Sequence, residues 1–421
     1  MSFFAPVLHF LRQTRILNKI NAFIERFRIP EWSFLILLSA FPFFQVLEHS
    51  TLFILPICVF LLIWFLKSLL QISPPKLDFA DFLVFLILLL QISTTFAGYG
   101  RAADAVCAAL LTSVWFFARR FFEKEESNIL FFLSSVALFV ISAIGVGQYL
   151  FGKAELRWVD AGRFGNIGGR VTSLFTNPNI LSVYLLLYFP FSLRATFLPK
   201  NKGRMRFFYI TTVISCVLCV LLTWSRGAWL GIALEVLLFL LFHTPKSRRM
   251  TLRFSPLVLL TLPILPMNFR ERFFSIVDLG ESSIRYRLQT WQGALKMIGN
   301  HPAGIGVGER AWHVIYPHFA ISGTKTVMHA HNLFLQVATE LGIVGLIVFL
   351  LLIATALICA CKTKNLTAVA AVSGTLMMGF FDHIWYYPGM LVPFWSMVAF
   401  CMQGEQKVTK KANFVDILHE K

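Results

Sequence analysis

The chain is 421 residues long, 57% of them hydrophobic and only 14% charged, with a mean hydropathy of +0.71. Soluble domains carry roughly 45–50% apolar and about 25% charged residues, so this composition excludes a soluble globular protein. A formal charge of +17 would suggest nucleic acid in a soluble chain; in a membrane chain it is the Lys and Arg excess of cytoplasmic loops facing anionic lipid, and no nucleic-acid partner is expected.

In chain order, Phe3 to Arg28 mixes apolar residues with Arg12, Arg15, Lys19, Arg26 and Arg28. Residues 1–31 read as a basic amphipathic segment on the cytoplasmic surface rather than a cleavable leader. A spanning helix needs about 20 mostly apolar residues. Twelve such segments follow, near 32–48, 52–70, 79–97, 105–118, 128–151, 178–197, 207–224, 226–243, 254–268, 331–357, 366–383 and 388–403. The predicted fold is all-α: an integral membrane domain of about 12 transmembrane helices over 32–403, followed by a cytoplasmic tail at 404–421.

Basic residues fall in every second connection. One side holds Lys76, then Arg119, Arg120 and Lys124, then Lys200 to Arg206, then Lys246 to Arg253, then Lys362 and Lys364; the short connections opposite hold only Glu48 with His49, Arg101, and the turn Ser225-Arg226. This alternation predicts both termini in the cytoplasm and two long extracytoplasmic loops, 152–177 and 269–330, the second between spans 9 and 10. Within that second loop Ser282 and Ser283 are expected to cap a helix from Ile284 to Ile298, ended by Asn300-His301-Pro302. The run Gly304 to Gly308 reads as a turn, because a phosphate loop needs a strand before it and a helix after it. The seven cysteines lie in or beside apolar segments. Cys216 and Cys219 spell C-x-x-C inside a span, so neither a disulfide framework nor a zinc site is expected.

Given this topology, polar residues converge at the outer end of the spans: Arg226, His331 with Asn332, and Asp382 with His383, below Arg285 and Arg287 of the loop helix. Each has an ordinary reading as a snorkelling, capping or interfacial residue. Asn332, Gln336 and Glu340 recur every four residues and share one helical face over about 12 Å. That stripe faces either a wet cavity or a seam of interhelical hydrogen bonds, with Glu235 of span eight a candidate partner. Guanidinium forks suit phosphate and pyrophosphate, and histidine suits proton transfer. The outer acids Asp160, Asp278, Glu281 and Glu309 are scattered, with no pair to hold a hard cation. The expectation is therefore a reaction without metal or cofactor, in which arginines neutralise a pyrophosphate leaving group.

The stretch Met328-His329-Ala330-His331-Asn332-Leu333-Phe334-Leu335-Gln336, followed by Glu340 to Leu346, resembles the signature of the O-antigen ligase and polymerase superfamily. In order before it stand Phe175-Thr176-Asn177-Pro178-Asn179, Ser225-Arg226-Gly227, Arg287-Leu288-Gln289-Thr290-Trp291 and His301-Pro302. The resemblance covers roughly residues 160–390. It implies a GT-C-type glycosyltransferase of the bacterial cytoplasmic membrane, acting outside on a glycan carried by undecaprenyl pyrophosphate, without metal and with inversion. Carried over, Arg226 and Arg287 meet the donor pyrophosphate and His331 meets the acceptor hydroxyl. By placement alone, Arg285, Arg170, Asn332, His329 and Asp382 are added as further substrate contacts, with one of Arg285 and Arg287 expected to reach the site and Asp382 expected to orient His331 or His329. Ligation to a lipid acceptor and polymerisation of lipid-linked repeat units remain equal alternatives; the short tail counts against transfer to protein. A solute transporter is the alternative of another class. It would place polar groups at the midplane in two matching halves, and no such repeat is visible.

Overall fold

The computed structural model describes residues 77–122, 127–156, 169–245, 248–250, 253, 266–276, 278, 280–321, 323–383 and 388–403. The amphipathic segment 1–31, the expected spans 32–48 and 52–70, most of 254–268 and the tail 404–421 lie outside them. The described residues are helical, with no strand among them. In chain order the helices are α1 (Phe79–Ala97), α2 (Ala102–Phe122), α3 (Ser127–Leu150), α4 (Pro178–Phe197), α5 (Gly203–Leu222) and α6 (Arg226–His243). Then come α7 (Met267–Phe274), α8 (Ser282–Asn300), α9 (Glu309–Ile315), α10 (Leu333–Lys362), α11 (Leu366–Gly379) and α12 (Pro388–Cys401). Seven of these, α1 to α6 and α10, are long and apolar enough to cross a membrane, and α11 and α12 are shorter apolar helices.

Local chemistry sets the helix starts. Asp78 and Asp81 form a reciprocal capping box at α1; Asn177 caps α4, with Pro178 in its first turn, a position where the missing N–H costs nothing. Asp81 also accepts from the Trp115 indole at 2.9 Å and from Arg119 at 2.9 Å, tying α1 to α2. α4 carries apolar and aromatic residues all round and is buried on nearly every face, Tyr184, Tyr188, Phe189 and Phe191 fully so, as such a helix must be. It packs among α3, α5, α6 and α11, while α10, in contact with α11, connects this group to α1 and α12.

Lipid supplies no hydrophobic drive between helices, so close approach of small residues matters instead. Gly227 and Gly231 on α6 face α11 without a Cβ; one at Gly227 would sit 2.8 Å from the Met378 sulfur, and one at Gly231 would sit 2.9 Å from the Gly374 carbonyl. On α11 a Cβ at Gly374 would overlap the Glu235 carboxyl.

Two sequence expectations change. The tenth segment is not one continuous helix: Gly342 has φ +75° and breaks α10. Into this break the 301–308 loop docks, with Ile305 N–H donating to the Thr339 carbonyl (2.9 Å), Gly306 N–H to the Glu340 carbonyl (3.2 Å) and Ile343 N–H to the Pro302 carbonyl (2.9 Å). The Gly304 to Gly308 run is therefore a turn, fitted to a helix break. Second, the loop helix starts at Ser282 and its N-cap is Glu281, which accepts from Ile284 N–H at 3.0 Å, rather than Ser282 or Ser283. A carboxylate suits that position because it faces the positive end of the helix dipole.

Candidate functional site

The structure decides between the two readings of the polar stripe on α10. Gln336 and Glu340 are fully buried, and Gln336 Nε2 donates to Glu340 Oε1 at 3.0 Å. Gln336 Oε1 accepts from Ala330 N–H at 2.9 Å, and Glu340 Oε1 from Gly308 N–H at 3.3 Å. Asn332 caps α10 through Leu335 N–H and donates to the Phe380 carbonyl. The stripe is a hydrogen-bonded seam holding the glycine loop and the start of α10. Glu235 takes no part: it is buried on α6 against Gly374, and its oxygens meet no hydrogen-bond donor among the described residues.

At one end of the bundle, where α5 turns into α6, Trp224 takes φ +52°. Trp224 stacks on Phe269 of α7, ring centroids 4.4 Å apart, which brings α7 and the start of α8 over the turn. Arg226, the first residue of α6, then donates to the Ser275 carbonyl (2.9 Å) and hydroxyl (2.8 Å), and pairs with Glu281 Oε2 at 2.8 Å. Arg272 of α7 reaches the other oxygen of Glu281 at 3.3 Å. Arg170, held by a backbone bridge to Glu155, donates to the Thr223 carbonyl and, at 2.9 Å, to Asn179 Oδ1. Arg287 of α8 donates to Ser283 Oγ at 2.8 Å, and its Nε has no hydrogen-bond partner among the described residues.

These four guanidiniums line a cavity of about 220 Å³ whose remaining wall is largely apolar, with Trp224, Ile284, Leu288, Trp291, Met378 and Phe381. Among the described residues, Glu281 pairs with two of these guanidiniums, Arg226 and Arg272, and Asp382 lines the neighbouring cavity. Burial, together with the neighbouring Arg272 and Arg287, pushes Arg170 down to about 9. Burial and the nearby Arg226 push Arg272 down to about 10. Burial lowers Arg287 as well, with Asp382 opposing. Lowered guanidinium values in a buried cluster mark a site that favours a polyanion.

An adjoining cavity of about 420 Å³ shares Arg170, Asn179, Ser283 and Arg287 and adds Tyr286, His329, His331, Asp382 and His383. Asp382, just past α11, is its centre. Its Oδ2 accepts from Asn179 Nδ2 at 2.7 Å and its Oδ1 from His383 N–H at 2.9 Å. Oδ1 also lies 3.4 Å from both His331 Nδ1 and His329 Nε2. Burial alone would raise the Asp382 carboxyl; its hydrogen bonds to the two histidines outweigh that and hold it well below the usual carboxylate range. Burial pushes His331 below its ordinary value, with Asp382 opposing. His331 sits at φ +48°, a left-handed backbone that a non-glycine residue holds only where its surroundings impose it.

Of the residues singled out in the sequence, the structure brings Arg226, Arg287, Arg170, His331, His329 and Asp382 to these two cavities. Asn332 lies beneath, as the α10 cap, and Arg285 is exposed on α8 and lines neither cavity. Sequence reasoning missed Arg272, Glu281, Asn179 and Tyr286, and placed His383 among the convergent groups without a role. Arg270-Glu271-Arg272, charged residues directly after an apolar segment, was the available signal for α7. Glu281 gave none, since only folding brings it between two arginines.

The structure thus defines a multi-pass helical membrane protein with a buried polycationic pocket beside a histidine–aspartate cavity. Residues 211–350 match the family model described as O-antigen ligase. The matched stretch runs from α5 into α10 and holds Arg226, Arg272, Glu281, Arg287, His329 and His331, while Arg170, Asn179 and Asp382 lie outside it. The match supports the O-antigen ligase superfamily, whose members are membrane glycosyltransferase-like ligases and polymerases. No curated protein matches the chain.

Proposed function

We propose that this protein transfers a glycan from undecaprenyl pyrophosphate to an acceptor hydroxyl at the outer face of the bacterial cytoplasmic membrane. The observation that carries the reading is the largely buried cluster of Arg170, Arg226, Arg272 and Arg287 around one cavity, opening beside His331 and Asp382. A pyrophosphate diester carries two negative charges, and forked guanidinium donors suit it. The apolar wall of Trp224, Ile284, Leu288, Trp291 and Phe381 suits the first isoprene units next to it.

In this reaction the acceptor oxygen attacks the anomeric carbon from the face opposite the pyrophosphate, so configuration inverts. Asp382 holds His331 through Nδ1, leaving Nε2 to take the hydroxyl proton as the new C–O bond forms. The anomeric carbon–oxygen bond to phosphate breaks, and the electron pair leaves on undecaprenyl pyrophosphate, whose charge the arginines stabilise. Fixed guanidiniums do here what a divalent cation does in carboxylate-based transferases, so the transfer is proposed to be metal-independent.

The acceptor decides between ligase and polymerase. Purified protein in nanodiscs, given a labelled undecaprenyl-pyrophosphate repeat unit with EDTA present, tests both. Product formed only with an added lipid acceptor makes the protein a ligase, and a ladder of lengthening lipid-linked glycan without it makes it a polymerase. Absence of product with authentic donor and acceptor would overturn the reading.

A further inference from the structure

The transfer chemistry uses His331 and Asp382, yet two more imidazoles crowd the same carboxylate. We propose that His329, Asp382 and His383 form a binding site for a transition-metal dication of the zinc class, and that its occupation shuts off transfer. The ligand atoms of these three residues all lie within 4.8 Å of one another. His329 Nε2 stands 3.4 Å from Asp382 Oδ1, and the His329 and His383 ring centroids lie 3.8 Å apart with the rings inclined at 42°. Nitrogen and oxygen ligands sit about 2.0–2.2 Å from zinc, which places tetrahedral neighbours roughly 3.3 Å apart, so small side-chain rotations close the set on an ion.

The donor types select the cation. Two imidazoles and one carboxylate suit zinc, cobalt or nickel, whereas magnesium and calcium take all-oxygen shells. The outer contacts of a built site are present as well: Asn179 Nδ2 fixes the carboxylate through Oδ2 at 2.7 Å, leaving Oδ1 toward the imidazoles, the kind of support that orients first-contact ligands. Asp382 and His383 are buried, and all three residues line the cavity of about 420 Å³, which gives an ion its route in and leaves a fourth position open.

Inhibition follows from which oxygen is used. Asp382 Oδ1, the oxygen nearest His329, is also the one 3.4 Å from His331 Nδ1. A dication there takes up the oxygen that holds His331 and occupies part of the cavity that His331 lines, so the ring is no longer positioned toward an acceptor hydroxyl. This inhibitory half rests on the transfer reaction proposed above; metal binding does not.

The test uses full-length protein in nanodiscs, purified without a histidine tag and stripped with chelator. Titrated with Co²⁺ alone, the wild type should develop a visible d–d absorption saturating at about one equivalent, displaced by Zn²⁺. His329→Gln and His383→Gln should each weaken binding at least tenfold; melting temperature identifies a misfolded variant, and the other then decides. With donor and acceptor added, Zn²⁺ should lower the initial transfer rate at least tenfold and EDTA should restore it. No Co²⁺ band in the wild type, or binding undiminished in the folded histidine variants, overturns the site. Unchanged or faster transfer by zinc-loaded protein overturns the inhibition. Should metal-free protein transfer nothing, the proposed reaction fails, while the Co²⁺ titration still decides the site.

Discussion

His331 pairs a cavity-lining imidazole with a left-handed backbone at φ +48°. His331→Ala keeps that backbone and loses the ring, so transfer should fall at least about 100-fold with the fold intact. His331→Gly should be equally inactive yet about 1 kcal/mol more stable than the alanine variant, since glycine relieves the left-handed cost. Paired rate and thermal-melt measurements check both, and a His331→Ala enzyme with near-normal transfer removes the residue from the reaction. Glu281 makes a different prediction. It bridges Arg226 and Arg272 while capping α8. Glu281→Gln retains an acceptor for the cap but removes the negative charge between Arg226 and Arg272, a loss of about 3 kcal/mol. Arg285→Gln, at an exposed position, should change stability by less than about 0.5 kcal/mol. Melting curves of the two variants, compared with wild type, measure the contrast.

At the scale of elements, the break in α10 and the loop that fills it are one construction. A Cβ at Gly342 would lie 2.5 Å from the Pro302 carbonyl, and the residue's φ of +75° is unfavourable for any other side chain. Gly342→Ala should therefore destabilise by more than about 2 kcal/mol and displace the 301–308 loop, read as a lower melting temperature and faster proteolysis there. The turn at Gly304 to Gly308 could be read from the sequence, but the break could not, because Leu-Gly-Ile-Val-Gly inside an apolar run has the composition of an uninterrupted span. The bounds of α1, α4 and α6, by contrast, agree with the apolar windows 79–97, 178–197 and 226–243, because polar or charged residues flank those runs. The site was legible in proportion to its local signals. Arg226, Arg287 and His331 stood out through the resemblance, and Asp382 through its position at a span end. Arg272 and Glu281 enter only because Trp224 stacks on Phe269 and folds α7 back over the α5–α6 turn, a tertiary event with no sequence period.

For the whole molecule, α10 joins the α1, α2 and α12 group to the helices that carry the arginines, so both cavities lie between parts of the bundle and not on one helix. The alternation of basic connections predicts that this end faces outward. In a background without the native cysteines, Arg285→Cys on the exposed face of α8 should react with a membrane-impermeant maleimide added to intact spheroplasts; labelling only after lysis would invert the topology. In the proposed reaction the arginine cluster holds a pyrophosphate while the histidine cavity handles the acceptor, and equilibrium binding of undecaprenyl pyrophosphate to nanodisc-embedded wild type, His331→Ala and Arg287→Ala separates the two roles. His331→Ala should bind with wild-type affinity and Arg287→Ala at least tenfold more weakly, about 1.4 kcal/mol. Unchanged binding by Arg287→Ala, or an equal loss in both variants, would contradict this division of roles.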